Sequence, residues 1–491
     1  MFEITPNLNP NDQTPLYIQL YQYLLKEIET GRIPQGTRLP SIRKLADHLG
    51  IGKNTVDAAY QQLIAEGFIL SKPKSGLYVA EFDEQFFTTT QESRSKFSHL
   101  EAAQPLAITY PFDFRHGHID KDHFPVTIWR KLTNQVLYDQ AIFSYGDRQG
   151  EPELRVELAK YLYQSRGVSC LPEQIIIGGG IQQLLSLLCF IIKSGGTSVA
   201  GENPRCNDGK SGQQQPNHYE KVAFENPGYD GAREVFRQHG FSIIPIELNT
   251  GGIDLKKLAK SNARIVYVTP SHQFPMGMIM PIANRMRLIQ WANRVDGYII
   301  EDDYDSEFRY KGKPIPALQG IDSFGKVIYL GTFSKALLPS IRLAYMVLPE
   351  QLLKSFQTHF QSYEQPVSKI LQKTVALFMQ EGYWQKHLRR MRHIYQKKHE
   401  TLHQSIRKFM GEQVKIIGEE SGLHLLIEVK NGDNEETLIE KAKSSGVKIY
   451  PTAKYWMNQN QAKDPLLLVG FGGLSETEIT EGIRRLSEAW F

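Results

Sequence analysis

Cysteine is scarce: Cys170, Cys189 and Cys206 are the only three in 491 residues. They form no CxxC pair and cannot all be joined, so they read as ordinary reduced thiols, with neither a disulfide framework nor a zinc site. Also absent is any apolar run of the roughly 18 to 20 residues that spans a bilayer. The first residues, MFEITPNLNPNDQ, lack the basic start and apolar stretch of an export signal. A cytoplasmic protein with no membrane partner is expected. Neither sign of charge dominates: 57 Lys and Arg against 53 Asp and Glu leave a net +4, too little by itself to announce a nucleic-acid ligand. Apolar residues at 41% and charged residues at 22% exclude a mostly disordered, collagenous or coiled-coil chain. The length calls for at least two cores.

What is present divides along the chain. Residues 14–80 read as three helices and a hairpin. In LYIQLYQYLLKEIETG apolar residues recur at three and four positions up to Gly31, and Ser41 caps a short helix that closes at Gly50. Asn54 to Gly67 places Val56, Ala59, Tyr60 and Leu63 on one helical face, which makes Tyr60 core rather than a base-stacking ring. Phe68-Ile69-Leu70 and Leu77-Tyr78-Val79, split by SKPKSG, read as two strands. Arg38, Arg43, Lys44, Lys53, Lys72 and Lys74 outnumber the acids of that stretch, a local positive excess that suits phosphate.

Residues 81–110 lose periodicity, with TTTQESRSKFSH at their centre, and read as a flexible linker. From 111 to 491, short β-branched runs alternate with helices (QIIIGGG, SIIPIEL, ARIVYVTP, GYIIEDDY, KVIYLGTFSK). That pattern predicts a mostly parallel sheet followed by a smaller α/β lobe. VAGENP and VAFENP flank a Gly-, Gln- and Asn-rich stretch that reads as a disordered insertion over about 201–223.

Helix, glycine turn, helix and basic hairpin make the winged helix-turn-helix layout. GTRLPSIRKLADHLGIGKNTVDAAYQQLIAEGFILSKPKSGLYV resembles the GntR-type winged-helix family over its whole length. The resemblance implies double-stranded operator DNA as partner. Arg38, Ser41 and Arg43 would meet phosphates or base edges, Lys53, Asn54 and Thr55 would open the recognition helix, and Lys74, Ser75 and Gly76 would form the wing tip. Arg43 has the reach and fork to read guanine bidentately.

In the second part, Lys335 follows the apolar strand KVIYL within GTFSKALLPSIR, beside Thr332 and Ser334 and seven residues before Arg342. A lysine at a strand end among hydroxyls and a guanidinium suits a Schiff base to a phosphorylated aldehyde. Asp302, at the end of another strand, suits a protonated pyridine nitrogen. Residues 111–491 resemble a fold type I, aspartate-aminotransferase-like, pyridoxal phosphate domain. With its GntR-type head the chain resembles the MocR subfamily of bacterial transcription regulators.

Carried over, that resemblance implies pyridoxal 5′-phosphate as cofactor, with Lys335 forming the internal aldimine, Asp302 on the pyridine nitrogen, Tyr304 near O3′ and Tyr229 stacked on the ring. Arg342 and Thr332, beside Ser334, would hold the phosphate with the amides of Gly180 and Ile181. Tyr145 would reach the phosphate of a neighbouring subunit, which implies a domain-swapped homodimer.

Departures from the aminotransferase pattern bear on function. Phe274 stands where those enzymes have asparagine, leaving His272 or Gln273 to serve O3′. Ile181 replaces a hydroxyl residue, and Leu468 replaces the arginine that clamps a substrate carboxylate, with Lys454 an open candidate for compensation. Gly231 stands where γ-aminobutyrate sensors of the subfamily carry arginine. The resemblance therefore implies a regulator, not an enzyme, that senses pyridoxal phosphate itself and controls vitamin B6 synthesis, with room for a residual transaminase half-reaction. The alternatives are a regulator responding to an amino acid such as γ-aminobutyrate, or an active aminotransferase with a DNA-binding head.

Overall fold

A computed structural model describes residues 4–10, 12, 14–73, 75–82, 109–195, 219–310, 315–360, 362–458 and 465–491. The chain divides into two compact units, Met1–Ile108 and Thr109–Phe491. Residues 83–108 of the expected linker and 201–218 of the expected insertion lie outside the described residues.

In the first unit, helix α1 (Leu16–Glu29) buries Leu20, Leu24 and Ile28. Helix α2 (Ile42–Leu49) starts where Ser41 Oγ accepts the Lys44 N–H, and it stops at Gly50, whose φ of 66° a side-chain-free residue adopts at no steric cost. Helix α3 (Lys53–Ala65) buries Val56, Ala59, Tyr60 and Leu63. Tyr60 is fully buried and donates its hydroxyl to the Pro40 carbonyl at 3.1 Å, so it is core, as its spacing implies. Strands β1 (Ile69–Lys72) and β2 (Gly76–Val79) pair antiparallel with Ile69 opposite Val79. The hairpin begins one residue later than the sequence pattern suggests, because the Phe68 N–H closes the end of α3 on the Leu63 carbonyl.

The second unit is built on an eight-stranded sheet. Its strands are β3 (Ile175–Gly178), β4 (Lys221–Asn226), β5 (Ser242–Asn249), β6 (Gly252–Ile253), β7 (Ile265–Val268), β8 (Tyr298–Asp303), β9 (Val327–Thr332) and β10 (Ala344–Val347). Their order is β3-β10-β9-β8-β7-β4-β5-β6. Strands β9, β8, β7, β4 and β5 run parallel, while β10 lies antiparallel between β9 and β3. Ile175–Gly178 and Ile265–Val268 are buried at every position, as expected of strands covered on both faces.

Two elements differ from the sequence expectation. Lys221, Val222 and Ala223, assigned there to the insertion, open β4 and lie between β5 and β7. The antiparallel β10 was not anticipated, since its four residues carry no hairpin-turn signature. Beyond the long helix Tyr383–Phe409 comes the smaller lobe. Its antiparallel sheet comprises β11 (Val414–Ile417), β12 (His424–Val429), β13 (Tyr450–Pro451) and β14 (Leu466–Gly470), in the order β11-β12-β14-β13. No helix among the described residues is long and apolar enough to cross a membrane.

Candidate functional site

On the first unit, Arg43, Lys53 and Asn54 are exposed, and Thr55 is half-buried in the first turn of α3. Ser41 spends an acceptor on its own helix cap. Arg38 lies along the wing: a Cβ built on Gly76 would stand 3.2 Å from its Nε. Ser75 Oγ pairs with Tyr78 Oη at 2.7 Å, and the Lys72 ammonium lies 4.8 Å from the Tyr78 ring centre, so the hairpin is tied from within. Lys74 lies outside the described residues.

On the second unit, the carboxyl ends of the parallel strands open into one cavity of about 350 Å³, where ligand sites of open α/β sheets form. Asp302 reaches it from the end of β8, Thr332 from the end of β9, and Ser334 and Lys335 from the loop beyond β9. Tyr229 enters from the loop after β4, Ile181 from the helix that follows β3, and Tyr304 and Arg342 complete the set of anticipated lining residues.

Alternation along β8 separates two adjacent carboxylates. Asp303 pairs with Arg166 at 2.8 Å and accepts from Tyr329 at 2.6 Å. Asp302 faces the cavity, with Oδ2 accepting from Tyr267 and Oδ1 buried without a partner. Burial, opposed by the Tyr267 hydrogen bond, pushes its carboxyl up to about 7. Burial also lowers the Lys335 amine to about 8, and Nζ donates to the His116 carbonyl. Thr332 Oγ1 donates to Ser334 Oγ at 3.0 Å and accepts the Ser334 N–H at 3.1 Å.

Two glycines fit their surroundings closely. Gly180 has φ 111°, and a Cβ there would collide with the Arg342 guanidinium. A Cβ on Gly231 would stand 2.6 Å from the Tyr229 Cζ and hydroxyl and 2.8 Å from Gln182 Nε2. A larger residue at 231 therefore displaces the Tyr229 ring.

Four anticipated residues are not among the lining of this cavity within one chain: Gly180, which stands against the Arg342 guanidinium, and Tyr145, Gln273 and His272. Tyr145 is 90% exposed, in a segment with exposed Tyr138 and Phe143. Gln273 is turned into its own loop: Nε2 donates to Glu225, Pro227 O and Phe274 O, while Oε1 accepts the Met276 N–H. Its amide is therefore engaged within the protein. His272 is buried behind Tyr304, with Nδ1 2.9 Å from Asp305 Oδ2 and 3.0 Å from the Tyr304 hydroxyl, and it is not among the lining residues.

The lining also includes residues the sequence reading missed: His116, Gly117, Gln182, Thr269 and Pro339, together with Phe274 itself. Thr269 directly follows the apolar β7, the same placement that singled out Asp302. His116 comes from a segment with no strand pattern, packed against the backbone of Gly470.

The chain matches "Bacterial regulatory proteins, gntR family" over residues 16–79 and "Aminotransferase class I and II" over residues 112–456. It is 42% identical to the uncharacterized HTH-type transcriptional regulator YdeL of Bacillus subtilis, over 99% of each chain. It is 32% identical to the probable rhizopine catabolism regulatory protein MocR of Rhizobium meliloti, over 98% of this chain and 95% of that one. Identity is 26% to the pyridoxine biosynthesis transcriptional regulator PdxR of Corynebacterium glutamicum, over 98% and 97%. Among solved structures, kynurenine aminotransferase of Pyrococcus horikoshii is similar with a TM-score of 0.65 and 26% identity, covering 81% of this chain and 93% of that one.

Proposed function

Starting from the fact that this chain belongs to the MocR subfamily of GntR-type transcriptional regulators, with an aminotransferase class I and II domain behind its DNA-binding head, we propose that its second unit senses pyridoxal phosphate and passes that signal to operator binding. The observation that carries the reading is Asp302 Oδ1, a buried acceptor without a partner in the same cavity as Lys335 and the Gly180–Arg342 contact. An orphan buried carboxylate oxygen costs stability until a cationic donor meets it. The protonated ring nitrogen of the cofactor is such a donor.

The remaining residues fit the same group. Lys335 is poised to condense with the aldehyde, because its amine is half neutral near pH 8. Arg342, Thr332, Ser334 and the amides of Gly180 and Ile181 supply phosphate donors at a helix start. Tyr229 offers a ring face and Tyr304 a hydroxyl. When bound, the cofactor supplies an electron sink, and the protein's part is to orient it and to keep water from Lys335. We assign the domain to sensing rather than turnover, with a homodimer in which Tyr145 completes the partner's site. Exposed Tyr138, Phe143 and Tyr145 support that assembly.

For the regulated process we assign vitamin B6 synthesis. Gly231 supports this, since the Tyr229 ring leaves no space there for the arginine of γ-aminobutyrate sensors. A second reading, control of a catabolic function, is favoured by the higher identity to the Rhizobium meliloti relative, 32% against 26%. Titration of operator DNA with and without pyridoxal phosphate at fixed salt tests the sensing reading. An affinity indifferent to the cofactor overturns it. Mapping the bound promoters separates the two processes, as does steady turnover of amino acids for an enzymatic role.

A further inference from the structure

The charges lining the cavity are few, and the cofactor reading uses all of them. Among the described lining residues, Asp302, Lys335 and Arg342 are the only ones with a charged side chain apart from the imidazole of His116. On that reading Asp302 would hold the ring nitrogen, Lys335 the aldehyde carbon and Arg342 the phosphate. Among the described lining residues of one chain, no cation other than Lys335 itself, once released, is left for a carboxylate carried by an incoming molecule.

The polar atoms on the Lys335 side call for donors. Lys335 Nζ donates to the His116 carbonyl, so an acceptor oxygen already points at the place an amine must occupy. His116 Nδ1 is buried without a partner. Burial first, then Lys335, Lys454 and Arg115, hold that imidazole down to about 3, so it is neutral and available to a hydroxyl. A carboxylate brings only acceptors, whereas a hydroxyl donates as well as accepts.

Behind this wall the surroundings are apolar. Phe274 is 5% exposed and packs with Leu426, Tyr455, Leu466 and Leu468. Its ring centre lies 4.7 Å from that of Tyr455 and 5.5 Å from that of His424. Two cations act on His116 from outside the lining: the Lys454 ammonium lies 4.8 Å from the Tyr455 ring centre, and Arg115 Nε donates to the Tyr450 hydroxyl at 2.9 Å. Both side chains are exposed. The Phe274 wall itself offers an anion pressed against it no polar partner.

We propose that the Lys335 side of the cavity admits primary amines bearing a hydroxyl next to the amine-carrying carbon, that is, amino alcohols, and rejects the corresponding α-amino acids. The proposal rests on the cofactor reading above. In that exchange the incoming nitrogen would form the double bond to the aldehyde-derived carbon as the double bond from that carbon to Lys335 Nζ breaks, and two protons would pass from the incoming ammonium to Nζ, so that Lys335 leaves as an ammonium, with no change of oxidation state. The hydroxyl then donates to the His116 carbonyl that Lys335 has vacated.

The test uses the cofactor-loaded full chain and two probes of one skeleton, 2-aminopropan-1-ol and alanine, read by visible absorption and by the shift of the thermal-unfolding midpoint. The amino alcohol should produce both changes at concentrations about tenfold or more below those alanine needs. Equal potency, a preference for alanine, or no response to either amine overturns the proposal. A chain that never takes up the cofactor is recognised beforehand by its lack of colour, and that result overturns the cofactor reading and this inference with it.

Discussion

The Arg342 guanidinium occupies the space into which a Cβ on Gly180 would project, so backbone and side chain share one concave wall. Both residues also hold positive φ, 111° at Gly180 and 47° at Arg342, a region costly for most side chains. Gly180→Ala should therefore weaken cofactor binding by about tenfold or more, through displacement of Arg342 and local strain of about 1–3 kcal/mol. Titration of the cofactor-free protein, with circular dichroism as a control for folding, measures it. Unchanged affinity removes Arg342 from the phosphate site.

Lys335 gives a second expectation. Borohydride treatment of the yellow protein should fix the cofactor on Lys335, as peptide mapping reads, and Lys335→Ala should abolish the covalent product. Only the neutral amine condenses, so capture should quicken as pH rises towards about 8 and level off above it. The stability sign is separate. A lysine whose folded pKa is lowered binds fewer protons folded than unfolded between about 8 and its ordinary 10.5, so the cofactor-free protein gains stability from this group across that window as pH rises. Lys335→Met should flatten that gain in denaturant titrations.

Asp302 has the opposite sign. Its folded pKa is raised from 3.8 to about 7, so the folded protein holds more protons than the unfolded chain between those values, and stability falls as pH rises through them. Glu225, Glu301 and Glu307 are raised to about 7 as well, chiefly by burial, and share in the slope. Asp302→Asn should reduce the slope by one carboxyl's share, and it should also weaken cofactor binding by about 1–3 kcal/mol. A variant with wild-type slope and affinity leaves Asp302 without a role.

The legible parts of this site were those announced by strand ends. Asp302 and Lys335 stand at or just past apolar runs, and a run followed at once by a polar residue is visible without tertiary information. The engagement of the Gln273 amide is not legible in sequence, because its partner Glu225 lies 48 residues away on a strand. Phe274 read only as a missing asparagine, whereas its ring forms a wall with Tyr455 and His424, which come from the smaller lobe. His116 left no trace in the pattern, since close packing against Gly470, not periodicity, brings it beside Lys335. In the first unit the helices and hairpin were legible because each is closed by local signals, such as Ser41 and Gly50 around α2.

On the DNA-binding unit, base and phosphate contacts are expected to separate by residue. Arg43→Ala should cost about 1–3 kcal/mol of operator affinity and relax preference at one base pair. Lys53→Ala should weaken binding to all sequences alike and reduce the salt slope by about one. Fluorescence anisotropy with matched and mutated operators at several salt concentrations distinguishes them. Wild-type affinity in both variants counts against α2 and α3 as the reading elements.

Coupling between the units should appear in site geometry rather than in base contacts. A homodimer would carry two winged heads, each joined to its second unit through residues 83–108, and would gain affinity for paired half-sites only when both heads engage at once. A cofactor that alters how often both heads can engage changes effective concentration, which a single half-site does not register. We predict that pyridoxal phosphate changes affinity for a two-site operator several-fold, about 1 kcal/mol, while single-site affinity stays nearly constant. The effect should vary with the spacing between half-sites, and γ-aminobutyrate should add nothing, since Gly231 leaves Tyr229 in place. Equal cofactor effects on one-site and two-site DNA would refute the geometric coupling, and a further response to γ-aminobutyrate would restore amino-acid sensing as the function of this cavity.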